Sequence, residues 1–501
     1  MSDRTKLGLG ILLAAVVMGG LADALLRALP WGLNVAMWVA ALGAVVFMLV
    51  FRNRVGWPRE RTWLAVPLVC FAAFTAWRDS SVLKVLDVGA VLIVFSLAFA
   101  RPRLASLRLA GVVEYALGVL LGAFQAALGI VFLALGDVQW KELPRSGWSR
   151  RAWGLGRGLV LAVPLLLIFG GLFMAADAVF AGLVKDLLDI DFARWFTHLF
   201  IIGFAAWIVG GCLRGLLLGK ETPVALNGLP PQSLSLGIIE IGTVLGLLDL
   251  LFLSFVIVQL RYLFGGAALV HVTAGLTYAQ YARRGFFELV AVAALVLPLL
   301  LGAHWLLNKA EPQAERIFRL LAGTQVLLLF VVMVSAVQRM HLYQNEYGLT
   351  ELRLYTTAFM GWLAVVFLWF AATVLRAKRE HFAFGAPAAG FLLLAALHLL
   401  NPDALIVQTN VALAQAGRRF DAGYAASLSG DALPPLVDAL PKLSPAERSQ
   451  AAACILARWL PPRDSDWRAW SWSRREASRV TGANLSRLQG WKAGQQRGSC
   501  D

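Results

Sequence analysis

Along the first 400 positions, apolar residues run in long blocks separated by short polar stretches. Crossing about 30 Å of hydrocarbon at about 1.5 Å per helical residue takes roughly 20 residues. Twelve blocks approach that length, near 7–27, 32–51, 62–77, 82–100, 111–136, 157–176, 196–217, 236–260, 285–307, 317–337, 357–376 and 383–400. Trp63 and Trp77 bracket the third block, as interfacial tryptophans do. That block is short, and the fourth follows so closely that the two predict a hairpin. The pattern predicts an all-α protein, a polytopic transmembrane bundle of about 12 helices over residues 1–400.

Polar positions take over after Leu400 while helical spacing persists. Helices are expected near 403–416, 421–428, 431–440 and 445–460, forming a small extramembrane domain over 401–480. Ser444-Pro445-Ala446-Glu447 carries a Ser cap, Pro at the first helical position and Glu three residues after the cap. Trp467, Trp470, Trp472, Arg468, Arg474 and Arg475 cluster beyond it, either as a segment lying on the membrane surface or as packing that closes the helical array. Residues 481–501 have little to bury and are expected to be disordered.

Composition agrees with the pattern. Hydrophobic residues make up 59% of the 501 and charged ones 15%, against about 25% charged in soluble domains, which excludes an ordinary soluble enzyme. The net charge of +15 would suggest nucleic acid if it were clustered on a soluble surface. Here the cations sit in short connections, where they face lipid headgroups and set orientation. The expected partner is therefore the lipid bilayer, not nucleic acid. The four cysteines form no CxxC pair, so neither a disulfide framework nor a zinc site is indicated. Pro30-Trp31 leads from the first block directly into the second, as expected of a membrane helix and not of a cleaved signal peptide.

Orientation meets a conflict. A cytoplasmic N-terminus puts Arg4, Lys6, Arg52, Arg54, Arg59, Arg61, Arg101, Arg103 and Arg108 inside, with Arg27, Arg78 and Lys84 outside. Beyond the fifth block the bias inverts. Twelve strict crossings would place the richer loops, led by Lys141, Arg145, Arg150, Arg151 and Arg157, outside, against the positive-inside rule. Either one block, with the fifth the best suspect, does not cross, or the loop 137–158 is an exception. The side of the C-terminal tail stays open.

Ionisable groups inside membrane blocks are costly and mark candidate chemistry. Glu114, Gly118, Gly122, Gln125 and Gly129 share one face of the fifth block. That face reads as a site lining, as a segment that only partly crosses, or as close Gly-mediated packing. In the eighth block Gly242, Gly246 and Asp249 share a face, and a buried acid there either carries protons, coordinates a cation or makes a structural hydrogen bond. Arg261, Arg283, Arg284 and Glu288 mark the next connection, with Arg284 and Glu288 spaced to pair. Two arginines flanked by Tyr suit a phosphate or carboxylate, or anchor the ninth block. The stretch 339–355 holds Arg339, Tyr343, Tyr347, Glu351 and Arg353, either closing over a pocket or forming an interfacial elbow. No Walker A, HExxH or GxSxG motif occurs, the six histidines are scattered, and no catalytic residue, metal site or cofactor is indicated.

RYLFGG at 261–266, TYAQYARRGFFELVAVA at 277–293, RMHLYQNEYGLTELRLYTTAFM at 339–360 and NPDALIVQTNVALA at 401–414 resemble an uncharacterised bacterial membrane family. It is the domain-of-unknown-function family numbered 4173, related to 4153. The stretch from Ala175 to Phe180 fits as well. The resemblance implies a multi-pass protein of the bacterial inner membrane and supplies no catalytic residues. The leading functional expectation is transport or channel-like handling of a small solute or ion. A sensor or assembly scaffold binding a protein partner through the C-terminal helices is the alternative, and a membrane enzyme on lipid-linked substrates the weaker one.

Overall fold

A computed structural model describes residues 1–55, 59–99, 112–142, 192–219, 235–274, 286–308, 312–376, 381–460 and 466–492, with scattered positions between 162 and 177. For residues 59–62, 97–99, 112–117, 192–194, 260–274 and 312 only the backbone is described. Among the described residues the chain is a helical bundle. Nine of these helical stretches are long and apolar enough to cross a membrane, and Trp63–Trp77 is a shorter apolar helix. Large apolar side chains such as Leu13, Phe47, Phe51, Leu92 and Phe196 are exposed. Lipid replaces water as their solvent, so no second layer has to cover them.

The helices are α1 (Asp3–Leu26), α2 (Leu33–Arg52), α3 (Arg59–Trp77), α4 (Ser81–Phe99), α5 (Val112–Phe132), α6 (Phe192–Leu218), α7 (Ile238–Ala274), α8 (Phe286–Leu306) and α9 (Pro312–Tyr347). They continue with α10 (Glu351–Thr373), α11 (Phe382–Leu400), α12 (Pro402–Gln415), α13 (Ala422–Ser427), α14 (Leu433–Ala439), α15 (Pro445–Arg458), α16 (Trp472–Ala483) and α17 (Leu485–Lys492). Two compact units emerge. One comprises Met1–Leu29, Met37–Trp57 and Leu121–Lys220; the other Pro30–Ala36, Pro58–Leu120 and Glu221–Asp501.

In the first unit α1 and α6 run antiparallel. Ala15 meets Gly210, Gly19 meets Ile202 and Ala206, and Arg27 at the end of α1 bonds His198 near the start of α6. Small residues at these contacts let the backbones approach closely, which is the main source of helix attraction in lipid.

In the second unit α7, α8, α9 and α10 bury Phe286, Phe318, Phe367 and Phe370 in a shared core. The α3–α4 pair, the hairpin expected from the sequence, packs Phe71, Leu83 and Ala90 against Leu394 and Leu397 of α11. Asn401 alone separates α11 from α12. It adopts φ 54°, its N–H bonds Leu397 O, and its side chain caps α12 at Ala404 N. The capping box at Ser444 and Glu447 forms as expected. The C-terminal helices bury a core of Ile406, Leu436, Ile455, Ala477 and Leu488.

Several expectations change. Residues 261–274, expected as a connection, continue α7, and 339–347 continue α9 until Gly348 breaks it at φ 76°. Residues 485–492, expected to be disordered, form α17, because Leu488 is fully buried. Cys454 is disulfide-bonded while Cys70 and Cys212 are free, which corrects the expectation of no disulfide. Spacing motifs do not reveal an isolated bridge. The sixth block, most of 157–176, lies outside the described residues.

Candidate functional site

The α7–α9 seam holds the membrane-embedded carboxylate expected from the sequence. The two helices run parallel, with Gly242 beside Leu321 and Gln259 bonded to Ser335 and Arg339, at 3.1 and 2.7 Å. Asp249 is 8% exposed, and neither carboxylate oxygen has a hydrogen-bond partner among the described residues. Gln325 on α9 is fully buried, and its amide is equally unpartnered. Asp249 lies seven residues past Gly242 and Gln325 four past Leu321, so their heights along the seam differ by about 5 Å. An unpaired carboxylate at this depth costs roughly 2.5–3.5 kcal/mol on insertion scales.

A second cluster was not singled out in the sequence. Asp79, in the α3–α4 turn, receives Lys84 Nζ at 2.7 Å, Gly430 N at 3.3 Å and the Arg474 guanidinium. Asp431 accepts from Arg78 at 3.0 Å, Asp79 N at 2.7 Å and Ser473 Oγ at 2.5 Å. Burial pushes the Asp79 carboxyl up, but Lys84 and Arg474 outweigh it and hold the group below the usual carboxylate range. One turn further, Asp87 Oδ2 meets His398 Nε2 at 3.1 Å, both side chains almost fully buried, with Phe74 stacked on the imidazole at 4.4 Å. His398 Nδ1 lies 2.8 Å from Leu394 O. A carbonyl only accepts, so Nδ1 carries a hydrogen and one further proton must sit between Nε2 and Asp87. The signal was present: Lys84 and Asp87 are three residues apart inside an apolar block. Lys84 read as a loop charge and His398 as one of six scattered histidines.

Asp403, at the start of α12, accepts from Ser429 Oγ and is otherwise enclosed. Burial raises its carboxyl to about 7, against the opposing hydrogen bond from Ser429. The folded state therefore favours the neutral acid. Its stabilisation is complete below about pH 4 and is lost as pH rises through about 7. Asp403→Asn should remove that part of the pH dependence. Melting temperatures at pH 5 and pH 8 check this: the variant should gain on wild type at pH 8 and not at pH 5.

The remaining sequence candidates divide. Gln125 accepts from Arg214 at 3.2 Å, and Arg214 also bonds Asp137 at 2.7 Å, as does Arg4 at 2.5 Å. Gly129 and Gly211 place α5 and α6 in backbone contact, as the close-packing reading of that stripe requires. Glu114 lies on α5 and Arg261 on α7, both described by backbone alone, while Arg283 and Arg284 lie outside the described residues. Glu288 is exposed at the start of α8. Tyr343 lies 4.2 Å under the Arg353 guanidinium and 4.9 Å from Tyr347, and Arg353 donates to the carbonyls of Tyr347 and Gly348. Glu351 N donates to Tyr424 Oη at 2.9 Å, and Asn410 brackets Leu349 N and O. These bonds tie 343–353 to the C-terminal helices.

The family described as "Domain of unknown function (DUF4153)" matches residues 65–439. All four segments that carried the resemblance fall inside that span, but the family is 4153 and not 4173, since segments shared by related families do not separate them. No curated protein and no solved structure matches the chain. Multi-pass apolar helices and this match over most of the sequence make the chain a member of the DUF4153 family of unknown function.

Proposed function

We propose that the protein moves a small cation, with the proton as the simplest case, along the α7–α9 seam, using Asp249 as the site carboxylate. The observation that carries this reading is Asp249 itself: a buried acid with both oxygens unpartnered among the described residues, on a helix of mean hydropathy 2.5. A structural hydrogen bond would leave at least one oxygen satisfied. Gln325 at a nearby height and the Gln259–Ser335–Arg339 group extend the polar track along the same pair of helices. Asp249→Asn keeps the shape and removes the charge. In proteoliposomes it should abolish cation or proton flux, read by a pH-sensitive or cation-sensitive dye, while insertion and melting temperature stay unchanged. Unchanged flux would remove the central residue of this reading.

The Asp79–Asp431 cluster favours a second reading, a membrane sensor whose C-terminal helices report on the bundle. It predicts that Asp431→Asn alters a signalling output while flux through Asp249 is absent even in wild type.

A further inference from the structure

We propose that the fifth block enters and leaves the membrane on one side, so that the chain crosses eleven times and carries its C-terminal helices on the oxidising side, opposite its N-terminus. Contacts inside each unit supply the argument, joined only by chain connectivity.

In the second unit, three connections meet the C-terminal helices, and the end of α11 meets one of them. Leu33 N, at the start of α2, donates to Trp470 O at 2.9 Å. Asp79 N, in the α3–α4 turn, donates to Asp431 at 2.7 Å. Leu349, between α9 and α10, is held by Asn410, and Arg78 bonds His398 O near the end of α11. These connections share one side. It is the side reached after the first crossing, opposite Arg4 and Lys6. Helix α4 leaves it at Ser81, and its 19 residues end at Phe99 on the N-terminal side.

In the first unit, the far end of the fifth block lies beside the start of α1. Arg4 pairs with Asp137, Ser2 N donates to Glu142 at 2.6 Å, and Gln139 N donates to Thr5 Oγ1 at 3.3 Å. Phe99 and Asp137 are thus both on the N-terminal side, although 118–137 is long and apolar enough to cross. The packing agrees. One guanidinium, that of Arg214 on α6, bonds both Gln125 at 3.2 Å and Asp137 at 2.7 Å, so the segment has not moved away from that end of α6 by the time it reaches Asp137.

Two independent observations converge. With the fifth block returning, the basic loops after the fifth, seventh, ninth and eleventh blocks fall on the same side as Arg4 and Lys6, and the charge bias becomes uniform. The C-terminal helices then face the other side, where disulfides form and persist, and Cys454 is disulfide-bonded.

Single cysteines introduced into the full chain test this by labelling in intact spheroplasts with a membrane-impermeant maleimide, in a background carrying Cys70→Ser and Cys212→Ser. Lys442→Cys should label without lysis, whereas Ser106→Cys and Lys141→Cys should both label only after lysis. Labelling of Ser106→Cys and Lys141→Cys from opposite sides, or of Lys442→Cys only after lysis, overturns the proposal. The unsubstituted protein gives a second readout that cannot be lost to misfolding. Denatured without reductant, it should show no free thiol at Cys454 by mass spectrometry; a free thiol there overturns the oxidising assignment. Flux through Asp249 does not enter either readout, so the two proposals fail separately.

Discussion

Asp79→Ala is expected to loosen the C-terminal helices from the α3–α4 turn and lower stability by about 3–5 kcal/mol, as when one partner of a buried ion pair is removed. The loss comes less from the missing attraction than from what stays behind. Lys84 is almost fully buried, and its ammonium would be left without its carboxylate in an apolar helix. The Arg474 guanidinium and Gly430 N–H lose the same acceptor. Limited proteolysis in detergent should then cut within 401–492 at protease levels that leave wild type intact. Adding Lys84→Met should recover a large part of the loss, because no uncompensated charge remains. If the double variant is as unstable as the single one, the ammonium is not the cause.

Gly211→Val should be at least as damaging to the first unit. A Cβ at Gly211 would press on the carbonyl oxygens of Gln125 and Ala126, the latter at 2.7 Å, and a Cβ at Gly129 would meet Gly211 Cα at 2.8 Å. Backbone cannot rotate away as a side chain can, so α5 and α6 must separate. The Gln125–Arg214 and Asp137–Arg214 bonds stretch with them. Expression in the membrane fraction should fall several-fold, and the purified remainder should lose its cooperative melting transition. Gly203→Val is the control, because that position on the same helix opens onto empty space; it should behave as wild type.

The spans were legible because hydrocarbon thickness imposes a length that few other constraints mimic. The boundary at Leu400 and the Ser444 cap were legible because caps depend on neighbours only three residues apart. Asp249 stood out since nothing nearby in sequence could neutralise it. The Asp79–Asp431 cluster was not legible, since its partners lie about 350 residues apart and each alone resembles an ordinary interfacial charge. Residues 339–355 drew notice for their polarity, but Arg353 spends its guanidinium on the Tyr343 ring and the carbonyls of Tyr347 and Gly348, while the bonds to Asn410 and Tyr424 come from the backbone of Leu349 and Glu351. The disulfide at Cys454 left no spacing signature. In the fifth block, Gly129 makes a close contact with Gly211, yet the angle of that contact is a property of two helices and cannot be read from one.

The join at Asn401 has a mechanical corollary. A flexible tether between a bilayer helix and its appended domain would swallow motion, but one residue held at both its N–H and its side chain leaves no slack. Helix α12 has 14 residues, about 21 Å of lever arm. A rocking of α11 by about 10° would therefore move the far tip by about 3.7 Å, a stroke delivered straight into the interior of the appended helices.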